Sequence, residues 1–159
     1  ESVAEYLGKS VLREVDEDEF MKNIADIRSS CGDRAVLRAM HFYGDNARVE
    51  KQAAALKAGD FETFKKYIIE SGRSSYMYNQ NVYSCKKASE QPVSLALSLS
   101  EKLLDGCGAW RVHGGGFAGT IQAFVPLNKL DEYKDLMEKV FGSGSCYILS
   151  VRPVGGVEL

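Results

Sequence analysis

Gly114, Gly115, Gly116 and Gly119 place four glycines in six positions, directly after Arg111 and His113. Backbone without Cβ atoms can take positive φ and come close to another surface. Successive N–H groups in such a loop can also converge on an anion. Arg111 precedes His113 by two positions, so in a strand the two share one face. An arginine there either pairs a phosphate or carboxylate or makes a salt bridge within the domain. His113 either shuttles a proton or hydrogen-bonds a phosphate, or it is a satisfied loop histidine. On residue types alone, the loop is either a ligand site or a tight connection that permits close packing. In both cases Gly115 should refuse a β-branched residue.

A second set of polar residues lies upstream. Ser74, Ser75 and Asn81 fall in an irregular stretch from Arg73 to Lys87 that mixes aromatics and amides without a clean period. That composition suits stacking on a sugar ring and equally suits a packed loop. His41 follows Met40 inside a helical pattern and reads as structural. Two histidines far apart make no metal site, and Cys31, Cys85, Cys107 and Cys146 contain no Cys-x-x-Cys pair. They read as reduced thiols of a cytoplasmic protein.

Arg111-Val-His-Gly-Gly-Gly-Phe-Ala-Gly-Thr120, with Phe117, Ala118 and Gly119 closing the loop, resembles the third conserved motif of the galactokinase family. That family belongs to the GHMP group of small-molecule kinases. Its usual form reads Arg-Met-Thr-Gly-Gly-Gly-Phe-Gly-Gly-Cys. His113 stands for the usual Thr, Ala118 for a Gly and Thr120 for the Cys. Gly44-Asp-Asn-Ala-Arg-Val49, Leu56-Lys-Ala-Gly-Asp60, Glu70-Ser-Gly-Arg-Ser74 and the closing Val151-Arg-Pro153 follow the family's order. The stretch after Ser74 departs from it, losing an acidic Asp-Asp-Tyr-Glu-Val-Ser run.

The resemblance implies a C-terminal GHMP kinase domain, with the loop Gly114–Gly119 at the cleft against nucleotide phosphates and acceptor. Arg111, His113, Ser74, Ser75 and Asn81 are the implied contacts with substrate. It implies ATP and Mg²⁺ as cofactors of the whole enzyme, with none held by this chain alone, and a sugar such as galactose as acceptor. The Gly-Leu-Ser-Ser-Ser phosphate loop and the sugar signature of the family do not occur here. Those parts, with the catalytic Asp and Arg, belong to the family's N-terminal domain, which is the implied partner. This chain alone is therefore expected to be inactive, and an apolar face left bare would let it self-associate. A GHMP kinase for another sugar or small alcohol is the first alternative. A stand-alone ferredoxin-like ligand-binding module is the second.

Bulk properties narrow the classes. The 159 residues suit one domain, and the chain opens on Glu1, as a fragment or processed product would. A net charge of −2 with scattered Lys and Arg offers no footprint for nucleic acid. No apolar run approaches the roughly 20 residues of a membrane span. The acidic run Glu14–Glu19 reads as a solvated helix start.

Positioning these residues calls for an α+β fold, with a helical N-terminal half and an antiparallel sheet carrying helices on one face. Val36, Met40, Tyr43 and Ala47 predict one helix face, and Phe61, Phe64 and Ile68 another. Gly59 should end the first of these helices and Asp60 cap the second. Pro92 opens a third, with Val93, Ala96, Leu99 and Leu103 as its stripe. Strands are expected over Ala109–His113 and Thr120–Val125. Asn128 should cap a helix bearing Leu130, Tyr133, Met137 and Val140, and a last strand should hold Tyr147, Leu149 and Val151. Strand, strand, helix, strand is the back part of a ferredoxin-like unit.

Overall fold

The computed structural model describes residues 1–117 and 119–151. It is α+β, as expected, and divides into two compact units, Glu1–Val125 and Pro126–Leu159.

The first unit is helical through Leu104. Helices α1 (Ser2–Tyr6), α2 (Glu17–Lys22) and α3 (Ile24–Cys31) lead into the long α4 (Asp33–Lys57). The acidic run does start a helix: Asp16 caps α2, its side chain accepting from the Asp18 N–H at 2.8 Å. Phe20 and Ile27 are fully buried and pack with Val36, Ala39 and Tyr43 of α4 into one core. Burial of each large apolar side chain contributes about 2 kcal/mol. The buried face of α4 is Val36, Ala39 and Tyr43, whereas Met40 is 40% exposed. A four-residue step overshoots a 3.6-residue turn, so Met40 falls off the stripe that Ala39 continues.

Gly59, at φ +70°, ends α4, and Asp60 caps α5 (Phe61–Ser74) by accepting from the Thr63 N–H at 3.0 Å. A hydrogen bond with the Thr63 side chain, and after it the one from the Thr63 N–H, holds the Asp60 carboxyl below its ordinary pKa. Phe64 and Ile68 of the expected stripe are buried with Ala55 and Ala109, while Phe61 stays exposed and stacks edge-on against Phe64. α5 runs on into one turn of π-helix, Ser75–Asn79. An irregular segment follows, and then α6 (Pro92–Leu104), with Pro92 in its first turn. Its buried face is Val93, Leu97, Ser100 and Leu104, one step around from the expected stripe.

Strands β1 (Ala109–His113) and β2 (Thr120–Phe124) pair antiparallel, with Val112 opposite Ile121 and His113 opposite Thr120. α5 and α6 pack on β1. The closest approach is at Gly72, where a Cβ would lie 3.0 Å from Arg111 Cβ and 3.1 Å from the Trp110 carbonyl. Trp110 is buried.

In the second unit, a 3₁₀ turn (Leu127–Lys129) precedes α7 (Leu130–Phe141). That turn takes Asn128 into itself, so Asn128 makes no cap. Lys134 pairs with Glu138 at 2.7 Å, and Glu138 also accepts from the Gly144 N–H at 3.1 Å. The expected strand at Tyr147, Leu149 and Val151 does not form. These side chains are 80%, 88% and 94% exposed, without the paired edge that alternation alone cannot supply. The remainder of the Val151-Arg-Pro153 motif lies outside the described residues.

Gly72→Val should lower stability by about 2 kcal/mol, because a β-branched side chain there must push α5 off β1. A urea titration measures it; an unchanged midpoint would mean that the helix and strand separate freely.

Candidate functional site

The glycine loop joins β1 to β2, and its conformation is set by one neighbour. Asn81, which follows the π-turn, is 5% exposed and directs its backbone carbonyl at the loop, where it accepts from the Phe117 N–H. Its side-chain Nδ2 donates to the Gly115 carbonyl at 3.4 Å. Two candidates far apart in the chain, the loop and Asn81, are thus brought together. Gly116 sits at φ +77° against this carbonyl, and a Cβ would overlap the Asn81 oxygen. Gly119 closes the turn, donating to the Gly116 carbonyl at 3.1 Å. Ala118 lies outside the described residues.

Gly115 behaves differently. Its φ is not positive, and nothing lies within 4 Å of a Cβ placed on it. Gly114 likewise has open space on its outer side, although its φ is +68°. The loop therefore has an inner edge, Gly116 and Phe117, seated on Asn81, and an outer edge, Gly114 and Gly115, where a Cβ would meet no atom within 4 Å among the described residues. Phe117 and Gly119 spend their N–H groups on Asn81 and Gly116. Among the described residues of this loop, the amides left for an anion are those from Gly114 to Gly116. Phe117 itself holds φ +60° with its ring half exposed, a conformation uncommon for a bulky residue.

Asn81 Oδ1 is buried and has no hydrogen-bond partner among the described residues. An unpaired buried acceptor costs about 1–3 kcal/mol.

The remaining candidates separate into two groups. His113 is exposed at the end of β1. Arg111 turns inward: its Nε donates to the Val112 carbonyl at 3.1 Å and its Nη2 lies 4.0 Å from Asp45 Oδ2. Ser74 and Ser75 are buried at 5% and 2% exposure. The Ser74 hydroxyl is 2.9 Å from His41 Nδ1, and the Ser75 carbonyl accepts from the Gln80 N–H. Arg111, Gly72, Tyr76, Leu97 and Trp110 line a shallow groove between α5, α6 and β1. Tyr76 also packs against Tyr83, with ring centres 5.6 Å apart and planes tilted by 41°, so the aromatic stretch is partly self-packed.

Residue-type reasoning missed Asp45. It accepts from Ser71 Oγ and pairs with Arg48 at 3.1 Å, while His41 and Arg111 lie at 3.9 and 4.0 Å. The readable signal was Asp45 and Arg48 at i,i+3 on a helix. His41 is structural, as expected. Its burial pushes its pKa below the ordinary 6.5, against the pull of Asp45 and with the push of Arg48 and Arg111.

Among curated proteins, the chain is 31% identical to human galactokinase over 159 residues, the whole of this chain and 38% of that enzyme. It is 31% identical to the Bos taurus galactokinase over 149 residues, 93% of this chain and 35% of that enzyme. The galactokinase of Mannheimia succiniciproducens is 25% identical over 137 residues, 86% of this chain and 34% of the enzyme. The chain thus spans little more than a third of the length of these relatives. No protein-family model matches it.

Two outcomes check the geometry. Gly116→Ala should cost about 3 kcal/mol, since it meets a positive φ and a carbonyl at once. Gly115→Ala should stay within about 0.5 kcal/mol of the parent; equal losses in thermal melts would contradict the two-edged loop. A folded-state histidine pKa below the unfolded one means that the unfolded chain binds the extra proton. His41 thus contributes stability that is complete above pH 6.5 and lost as pH falls toward its folded pKa. His41→Gln should flatten this part of a stability–pH curve, and an unchanged slope would remove His41 as its source.

Proposed function

We propose that this chain, which is galactokinase-like along its whole length, is the C-terminal part of an ATP-dependent sugar kinase of the GHMP type. The reaction is transfer of a phosphoryl group to the anomeric hydroxyl of galactose or a related sugar. One observation carries the reading: the open space beside Gly114 and Gly115, within the motif Arg111–Thr120.

ATP supplies the phosphoryl group and magnesium neutralises the charge that accompanies its transfer. Among the described residues no group of three or more His, Cys, Asp or Glu could hold a metal ion, and no magnesium ligand is proposed on this chain. The nucleotide-side and sugar-side contacts fit it better. Gly114 and Gly115 let a phosphate or sugar ring reach the backbone without meeting a side chain. His113, exposed at the strand end, faces the solvent side of the same loop. Arg111 holds β1 to α4 through Asp45 rather than touching a phosphate. The missing acidic run after Ser74 makes the Tyr76–Ser84 stretch the part of the wall that sets acceptor choice. The phosphate loop, the metal ligands and the group that deprotonates the acceptor come from the rest of the polypeptide, and this chain alone turns over nothing.

ADP release by the full-length protein, with magnesium-ATP and a panel of galactose, its epimers, amino sugars and small alcohols, tests the assignment. Turnover on galactose or a close relative is expected, and silence across the panel would overturn it. In the same protein, Gly115→Val should fold normally yet lose about 100-fold in turnover by displacing the ligand. Full activity in that variant would take the loop out of the site.

A further inference from the structure

The glycine loop is seated on Asn81, and Asn81 is in turn placed by the end of a helix that lacks its own closure. α5 ends in the π-turn Ser75–Asn79, closed by the Gln80 N–H donating to the Ser75 carbonyl five residues back at 2.8 Å. The last carbonyls of a helix have no partner within it. Two arginines of α4 reach them from the side. Arg38 Nε donates to the Asn79 carbonyl at 3.1 Å, and Arg34 Nη2 approaches the Gln80 carbonyl at 3.5 Å. Both guanidiniums stand at the negative end of the helix dipole, where a cation is favoured.

Gln80 then takes φ +55° and ψ +44°, a left-handed conformation that reverses the chain. The reversal delivers the Asn81 carbonyl to the Phe117 N–H and the Asn81 amide to the Gly115 carbonyl. Phe117, on the other side of this contact, is left-handed as well. Non-glycine residues in that region are strained and persist only where their surroundings hold them. Here one such residue lies on each side of a single contact, and the fixed points behind it are the arginines.

We infer that Arg38, with Arg34, is a positioning residue for the glycine loop, acting through the π-turn and Asn81. It holds the turn in its long form, and so holds Asn81 beneath Gly116 and keeps the outer edge of the loop presented. The catalytic consequence rests on the kinase reading above; the structural coupling does not. Neither arginine lies in the motif or in the polar set that the residue types singled out, because both act through backbone carbonyls.

Hydrogen exchange by mass spectrometry on the full-length protein tests this apart from activity. In Arg38→Met, peptides over 114–119 should exchange about tenfold faster, while those over β1 and β2 keep the parent rate. Arg38→Lys, which still offers a donor to Asn79, should return the loop toward the parent rate. An unchanged loop in folded Arg38→Met would overturn the inference. So would a rise spread evenly over β1, β2 and α6, since that is general destabilisation. Should Arg38→Met not fold, Arg38→Gln is judged by the same criterion. Where turnover is present, kcat should fall in Arg38→Met and recover in Arg38→Lys. A parent protein without turnover would sink the kinase reading and leave the exchange result to decide the coupling.

Discussion

The Asn81 carbonyl and the glycine loop meet backbone to backbone, at a distance that only a residue without Cβ allows. Gly116 makes the contact, the Phe117 N–H satisfies the carbonyl, and the side chain of Asn81 secures the Gly115 carbonyl. Everything that gives the loop a defined outer edge follows from this seat. A loop of four glycines has large conformational freedom, and fixing each residue costs about 1–2 kcal/mol of entropy. Anchoring its inner half to a buried residue confines that cost to a few positions and leaves Gly114 and Gly115 exposed in one arrangement. Such preorganisation is what a site needs if it is to receive a ligand without first ordering itself.

Behind the seat stands a helical frame whose polar contacts lie at helix–strand crossings. Asp45 joins α4 to α5 through Ser71, and approaches β1 through Arg111. Gly72 lets α5 lie directly on that strand. His41 ties α4 to Ser74, the last residue of α5 before the π-turn. The helical half of the chain therefore does more than fill a core. It fixes the strand from which the loop springs and the turn on which the loop rests.

Much of this was legible in the residues. The glycine motif, its flanking strands, the Gly59–Asp60 stop and start, and the helical first half were all readable, because each depends on local chemistry. Two helix stripes were misplaced by one step, at Met40 and at Ala96–Leu99. Period counting cannot tell which of two adjacent apolar rows the tertiary packing will bury. The strand at Tyr147–Val151 failed for a related reason, since alternation describes a strand but cannot provide its partner. At the site, Asn81 and the loop were each singled out, yet their contact was not foreseeable. It depends on a π-turn and a left-handed Gln80, and no residue type announces either. Gly115 and Gly116 looked equivalent in sequence, and only their surroundings distinguish a glycine needed by the fold from one left free for a ligand.

The central claim is that the outer edge of this loop receives the ligand of a sugar kinase. Its most direct test is a crystal structure of the full-length protein with a non-hydrolysable ATP analogue and galactose. The account predicts ligand atoms packed on the backbone of Gly114 and Gly115. Both ligands bound elsewhere, with Gly114 and Gly115 left facing solvent, would contradict it.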